Sequence, residues 1–246
     1  IISLLLSTPM ETNNMQAFED PTQVSNSIYY IVLVLAFTLV VLIAIKKNMK
    51  WIVSLLIYLA IISTLYYVFF AFFTLIPSLS GFEDVLSILI STGLTVLLYK
   101  YPEWYVIDIL GVCVGGGVSA LLGISLSIIP VIILLILLAV YDAISVYKTK
   151  HMIAMAEGIM DLKLPILFII PKHRSYSFVK ETFKEGEKRE AFFMGLGDAV
   201  MPTLLVVSAN VFIGNGGLSY PVLGTILGTL AGHIVLSIVV MKGKPQ

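Results

Sequence analysis

The chain has 246 residues, of which 59% are hydrophobic and only 12% charged, and its mean hydropathy is +1.01. A soluble protein of 27.0 kDa could not cover that much apolar surface, so the composition predicts an integral membrane protein made of helices and excludes disordered and secreted disulfide-rich classes. Fifteen Lys and Arg residues balance fifteen Asp and Glu residues, which leaves no basic surface for nucleic acid.

Seven apolar stretches approach the length of about 20 residues that a helix needs to cross a bilayer. They cover residues 27–45, 51–76, 82–99, 104–123, 128–147, 191–213 and 218–241. An earlier stretch at 1–10 is about half that length, so we expect a clipped first segment; it lacks the basic region that begins a signal peptide. The polar loop 148–190 divides an N-terminal part, 1–147, from a C-terminal part, 191–246. The prediction is an all-α polytopic protein forming one integrated membrane domain.

The positions of the charged residues support this number of segments. Under this assignment all fifteen Lys and Arg residues lie on one side of the membrane. They occupy the loops around Lys46 and Lys100, the loop 148–190 and the C-terminal end. The opposite loops contain only acidic residues among their charges. Because an excess of Lys and Arg marks the cytoplasmic side, we expect the N-terminus, the loop 148–190 and the C-terminus to be cytoplasmic.

Three acidic residues, Asp108, Asp142 and Asp198, lie within apolar segments, where an ionisable side chain is costly and is a functional candidate. Asp142 comes five residues before the end of its segment, and Asp198 comes seven residues after the predicted start at Ala191. At about 1.5 Å per residue, the two carboxyls lie about 8–10 Å below the same cytoplasmic face. Two close carboxyls can share one proton, which is the acid–base arrangement of aspartic proteolysis.

The residues alone leave other roles open for these acids. Each could be a structural hydrogen-bonding residue between helices, or they could form the proton relay of a proton-coupled transporter. A transporter would predict repeats between the two halves of the chain, and none is evident. A membrane scaffold without chemistry would leave two intramembrane carboxyls unexplained.

The local sequences around the two acids carry a family resemblance. Asp142 follows Tyr141, and Asp198 ends the tetrad Gly195-Leu196-Gly197-Asp198. In both motifs, in segment order and in topology, the chain resembles the presenilin and signal peptide peptidase family of intramembrane aspartyl proteases, most closely a microbial, archaeal-type presenilin homologue. Its predicted orientation is that of presenilins, since signal peptide peptidases are inverted.

The resemblance implies a presenilin-like bundle that cleaves transmembrane segments of membrane proteins within the lipid bilayer. It implies Asp142 and Asp198 as the catalytic pair, and no metal, cofactor or nucleic acid; oligomerisation is compatible with it. Tyr141 and the residues Gly195, Leu196 and Gly197 are expected to support the site or bind substrate. The bare backbone at the two glycines favours both helix packing and close approach of a substrate.

The family also has a Pro-Ala-Leu motif at the start of a ninth helix. The nearest match, Pro221-Val222-Leu223, differs at its middle position and opens the eighth segment, so we interpret Pro221 only as a proline in the first turn of a helix. We expect that a ninth helix is missing from this chain.

Further features have predicted structural roles. Asp108 is expected to have a packing role, with a role in the active site as the alternative. Cys113 is expected to be a small, buried apolar residue, and His233 a structural hydrogen-bonding residue. The glycines of two runs are expected to pack helices closely: Gly111, Gly115, Gly116, Gly117 and Gly123, and then Gly224, Gly228 and Gly232.

Two elements are predicted within the polar loop. Residues 149–161 have the periodicity of a short amphipathic helix at the interface. The apolar run Leu164–Ile170 is either a loop at the interface or a strand; in presenilins this neighbourhood supplies a strand that pairs with extended substrate.

Overall fold

The computed structural model describes residues 1–47, 49–147, 167–173, 176–180, 190–213 and 219–241, and within these ranges it contains eight α-helices and one two-stranded sheet. The helices are α1 (Ile2–Thr12), α2 (Ser25–Lys46), α3 (Lys50–Thr74), α4 (Glu83–Lys100), α5 (Trp104–Ser125), α6 (Ile128–Tyr147), α7 (Leu196–Phe212) and α8 (Tyr220–Met241). The strands are β1 (Leu167–Pro171) and β2 (Ala191–Gly195). The predicted amphipathic helix at 149–161 and the first three residues of the run Leu164–Ile170 lie outside the described residues.

The predicted segments match these helices closely except at one boundary. The predicted seventh span begins at Ala191, but α7 begins at Leu196, because residues Ala191–Gly195 form β2. This start is therefore a correction to the prediction. Five apolar residues in succession suit a buried strand as well as a helix, and periodicity alone does not separate the two.

Four helices in the described part of the chain are long and apolar enough to cross a membrane. They are α2, Trp51–Thr74 of α3, α5 and Ile128–Ser145 of α6. Many large apolar side chains of α2 are exposed, including Val32, Leu39 and Ile43. A lipid-facing helix needs such a surface, because the acyl chains take the place that a protein core takes in a soluble domain.

Helix α5 lies at the centre of the bundle and packs against α1, α3, α7 and β1. Its glycines allow this close approach. A Cβ at Gly111 would lie 3.2 Å from the Phe168 ring, and one at Gly123 would lie 2.5 Å from Val207 Cβ. Cys113 is half-buried beside the main apolar cluster. The prediction of close helix packing is confirmed for the other four glycines of this run, whereas Gly111 packs against strand β1.

The glycines of α8 have a different environment. Cβ atoms at Gly224, Gly228 and Gly232 would meet nothing within 4 Å. The prediction that this run packs closely against another helix is therefore wrong for the described residues. Pro221 lies in the first turn of α8, which begins at Tyr220, as predicted. Proline suits this position because an N–H in the first turn has no partner within the helix.

Buried hydroxyl groups connect the helices to backbone carbonyls. Ser27 Oγ on α2 donates to the Pro130 carbonyl at 2.6 Å, and Ser208 Oγ on α7 donates to the Leu126 carbonyl between α5 and α6 at 2.8 Å. Each bond satisfies a polar group that has no access to water, so together they fix the helices around α6.

Candidate active site

The first acid of the predicted pair, Asp142, is carried by α6. This helix runs without a break to Tyr147, so Asp142 lies five residues before its C-terminal end, as predicted. The Asp142 side chain is exposed, and its backbone carbonyl accepts a hydrogen bond from Ser145 Oγ at 3.0 Å. Tyr141 is half-buried beside it. The carboxyl is therefore accessible at the surface of the bundle.

The second acid, Asp198, lies in the first turn of α7 and is also exposed. The sequence estimate placed it seven residues into a helix, and that estimate is wrong because the helix begins at Leu196. Asp198 is instead the third residue of this helix and lies three residues after the end of β2. Its carboxyl thus lies where an extended backbone becomes a helix, and the first turn of a helix favours negative charge.

The structure brings the two acids together. Although they come from separate helices, the carboxyls of Asp142 and Asp198 are close enough for their charges to interact. Two carboxylates that are close enough to interact repel each other. In the described residues no three His, Cys, Asp or Glu side chains come together as a metal site requires. The arrangement is suited to acid–base chemistry on a water molecule.

The two glycines of the tetrad have different surroundings. A Cβ at Gly195 would lie 3.0 Å from Asp198 Oδ2, whereas a Cβ at Gly197 would meet nothing within 4 Å. Gly195 therefore leaves space for the Asp198 carboxyl itself, and Gly197 leaves exposed backbone beside it. Leu196, between them, packs its side chain onto α5 at Gly115.

A small antiparallel sheet leads into Asp198. The register pairs Leu167 with Gly195 and Pro171 with Ala191. Beyond these strands the Lys172 N–H donates to the Glu190 carbonyl at 2.9 Å. Lys172 and Glu190 thus form a hydrogen-bonded pair. Because hydrogen-bonded and non-hydrogen-bonded pairs alternate along an antiparallel ladder, the N–H and C=O groups of Ala191 and Gly195 point away from β1.

The third intramembrane acid, Asp108, contacts the sheet. Its Oδ1 accepts a hydrogen bond from the Ile169 N–H on β1 at 2.8 Å. The role of His233 is the predicted one, since its Nδ1 lies 3.2 Å from the Thr229 carbonyl.

Sequence reasoning missed strand β2 altogether. The one available signal was the pair Phe192-Phe193 ahead of a glycine, because aromatic residues favour strands and glycine often ends an element. That signal is weak beside the apolar length of the whole run 191–213.

Fold and site together define a polytopic membrane protein with two interacting acids on separate helices. A family model described as signal-peptide peptidase, presenilin aspartyl protease matches residues 1–246. The chain belongs to this family of intramembrane aspartyl proteases.

Solved structures agree with the family match. One, a presenilin family intramembrane aspartate protease in the P2 space group, is 39% identical with a TM-score of 0.71, and the match covers 100% of this chain and 84% of that one. Another, a presenilin family intramembrane aspartate protease in the C222 space group, is 37% identical with a TM-score of 0.67, and covers 97% and 83% of the two chains. No curated protein matches the chain.

Proposed function

We propose that this protein hydrolyses peptide bonds within transmembrane segments of other membrane proteins, using a water molecule activated by Asp142 and Asp198. The observation that carries the proposal is the pairing of these two carboxyls from α6 and α7, close enough to interact, in a chain of the presenilin type. Both side chains are exposed, so water and a substrate backbone have access to them.

The proposed chemistry follows from two carboxyls that hold one proton. The ionised carboxyl takes a proton from the bound water as that water attacks the scissile carbonyl. The protonated carboxyl donates its hydrogen to the carbonyl oxygen, and the two exchange roles as the tetrahedral intermediate collapses and the amine leaves. Neither acid is assigned the first role, because the two carboxyls exchange roles during the cycle.

The sheet gives the substrate a route to the pair. Peptide bonds in a helix are shielded by their own hydrogen bonds, so the substrate must unwind before attack. An unwound segment could add as a strand along the side of β2 that faces away from β1, through backbone hydrogen bonds. This side reaches Gly195, three residues before Asp198, so an added strand would end beside the acid pair.

The proposal also includes the orientation of the protein in the membrane. The Lys and Arg residues of the loop 148–190 and of the C-terminal end support a cytoplasmic location for both, because an excess of these residues marks that side. Asp142 lies near the end of α6 that leads into this loop, and Asp198 lies near the start of α7 that leaves it. Cleavage is then expected near the cytoplasmic end of the substrate helix.

The test is a cleavage assay in liposomes with the purified protein and a panel of single-span membrane proteins tagged at both ends. Asp142→Asn and Asp198→Asn should each lower kcat by at least about 10²–10⁴-fold, because each removes one acid–base group. Circular dichroism and thermal unfolding check that both variants remain folded.

Asp84→Asn is the matched control. This exposed acid lies in the first turn of α4, and its Oδ1 accepts a hydrogen bond from the Tyr66 hydroxyl at 2.7 Å. It should cleave at the wild-type rate. Full activity in either catalytic variant would overturn the assignment of the pair, and proton-driven flux of a small solute without any cleavage would support the transporter instead.

A further inference from the structure

The face of α5 that contacts the sheet also contacts α7, which connects two parts of the site. Asp108 binds β1 through the Ile169 N–H, and Gly111, three residues later, accommodates the Phe168 ring of the same strand. Gly115, one turn further, accommodates Leu196 of α7. One helix face thus sets the position of β1 relative to the helix that carries Asp198.

The contact between β1 and α5 is well buried on its apolar side. Ile169 is 1% exposed and belongs to the same apolar cluster as Ile107, which is fully buried. The half-buried Asp108 carboxyl lies beside this cluster. A hydrogen bond made beside packed apolar side chains has a defined geometry, since neither partner can turn away to water without disturbing the packing.

A second carboxyl of the same region holds the chain beyond β1. Glu103, immediately before α5, accepts hydrogen bonds from Ser177 Oγ at 2.8 Å and from the Phe178 N–H at 3.2 Å. Phe178 is 2% exposed, so this short segment is also fixed against the bundle. Asp108 thus holds the chain within β1, and Glu103 holds the chain just after it. The two carboxyls are five residues apart, at and just inside the start of α5.

The Asp108 contact occupies one position on the outer edge of β1. The Ile169 N–H points away from β2 and is used by Asp108, so β1 presents α5 rather than an open edge at this position. At this position a strand can add only to β2, and the alignment of such a strand with the acid pair depends on where β1 holds β2 along α5.

We propose that Asp108 is a positioning residue that sets the alignment of the sheet, and so determines which substrate peptide bond reaches Asp142 and Asp198. This inference rests on the proposed proteolytic function. Asp108 acts through its hydrogen bond to the Ile169 N–H and takes no part in proton transfer. The property that matters is an acceptor oxygen at this position.

The test compares Asp108→Asn, which keeps an acceptor oxygen, with Asp108→Ala, which removes it. Mass spectrometry of the products from the same panel of single-span substrates gives the cleavage positions. Asp108→Asn should cut at the wild-type bonds with kcat within about threefold, whereas Asp108→Ala should shift or broaden the cut positions and lower kcat/KM by about tenfold. Asp84→Ala, which removes another hydrogen-bonded carboxyl, should leave the positions unchanged.

Amide hydrogen exchange supplies a readout that does not depend on activity. The Ile169 N–H should stay protected in Asp108→Asn and exchange faster in Asp108→Ala, at equal global stability. If Asp108→Ala does not fold, Gly111→Ala replaces it: the added methyl would lie 3.2 Å from the Phe168 ring and displace β1 with Asp108 intact, so it should also shift the cut positions.

The possible outcomes separate the two hypotheses. Loss of cleavage in Asp108→Asn to the level of Asp142→Asn would overturn the positioning role in favour of a third catalytic carboxyl. Wild-type cut positions in Asp108→Ala, or in Gly111→Ala where that variant replaces it, would overturn it as well. Failure of the wild-type protein to cleave any substrate in the panel would instead count against the proposed function.

Discussion

Gly195→Ala tests how closely the tetrad is fitted to the acid it precedes. Gly195 has φ −61° and ψ 136°, a backbone conformation that alanine adopts without strain, so the substitution adds only a methyl group. That methyl would lie 3.0 Å from Asp198 Oδ2 and 3.5 Å from its Cγ. Ordinary contacts begin at 3.4 Å, so the carboxyl must move by a few tenths of an ångström.

The size of the effect follows from that displacement. A side chain about 30° from its rotamer costs about 0.5–1.5 kcal/mol, and a shift of a few tenths of an ångström turns the Asp198 side chain by less than that. If the cost falls on the transition state, kcat should drop measurably but by no more than about 13-fold, because about 1.4 kcal/mol corresponds to a factor of ten. KM should change little, since the acid pair is proposed to act on the reacting atoms and not in holding the substrate strand.

The assay measures initial cleavage rates in liposomes over a range of substrate densities, together with the thermal midpoint. Gly93→Ala is the control: it makes the same change within α4, where a Cβ would meet nothing within 4 Å. It should keep the wild-type kcat and a thermal midpoint at least as high, because alanine favours a helix. Wild-type kcat in Gly195→Ala would refute the steric argument, and equal losses in the two variants would show that the effect is not specific to the site.

Three further predictions concern stability. Gly123→Ala should lower the free energy of unfolding by about 1–3 kcal/mol, because its methyl would lie 2.5 Å from Val207 Cβ; chemical unfolding in detergent measures this. Ser208→Ala should cost about 1–3 kcal/mol by leaving the Leu126 carbonyl without its buried donor, and an unchanged thermal midpoint would contradict this. Hydrogen bonds from the Thr22 hydroxyl and N–H groups lower the pKa of Asp20 below its ordinary value of 3.8. The stabilising contribution of Asp20 is therefore present above pH 3.8 and is lost as the pH falls through the lowered pKa. NMR titration of the carboxyl checks the direction.

Much of the helical fold could be predicted because the bilayer imposes a length on each apolar segment. The bounds of α6, predicted at 128–147, agree with the structure, as does the start of α5 at Trp104. Charge supplied an independent constraint, since a wrong number of segments would have distributed Lys and Arg over both sides. Matching depth below the predicted cytoplasmic face, and then the family resemblance, distinguished Asp142 and Asp198 from Asp108.

The start of α7 could not be predicted for a physical reason. Residues Ala191–Gly195 are apolar and continue directly into the helix, so hydropathy treats them as part of a span. They form a strand because β1 pairs with them, and β1 lies about twenty residues earlier in a loop that the sequence describes mainly as charged. A pairing between distant segments is not encoded in local periodicity.

In the proposals made above, the three intramembrane acids have separate roles around the sheet. A strand edge near the hydrocarbon region is unfavourable unless each backbone group has a partner. On β1, Asp108 supplies that partner at Ile169 with a side chain from α5, so no third strand is required there. On the proposed substrate side, the backbone of β2 at Gly195 lies three residues before Asp198. Asp108 occupies the outer edge of β1, so a substrate strand is directed to the edge of β2. At that edge Asp142 and Asp198 are available for the proposed chemistry.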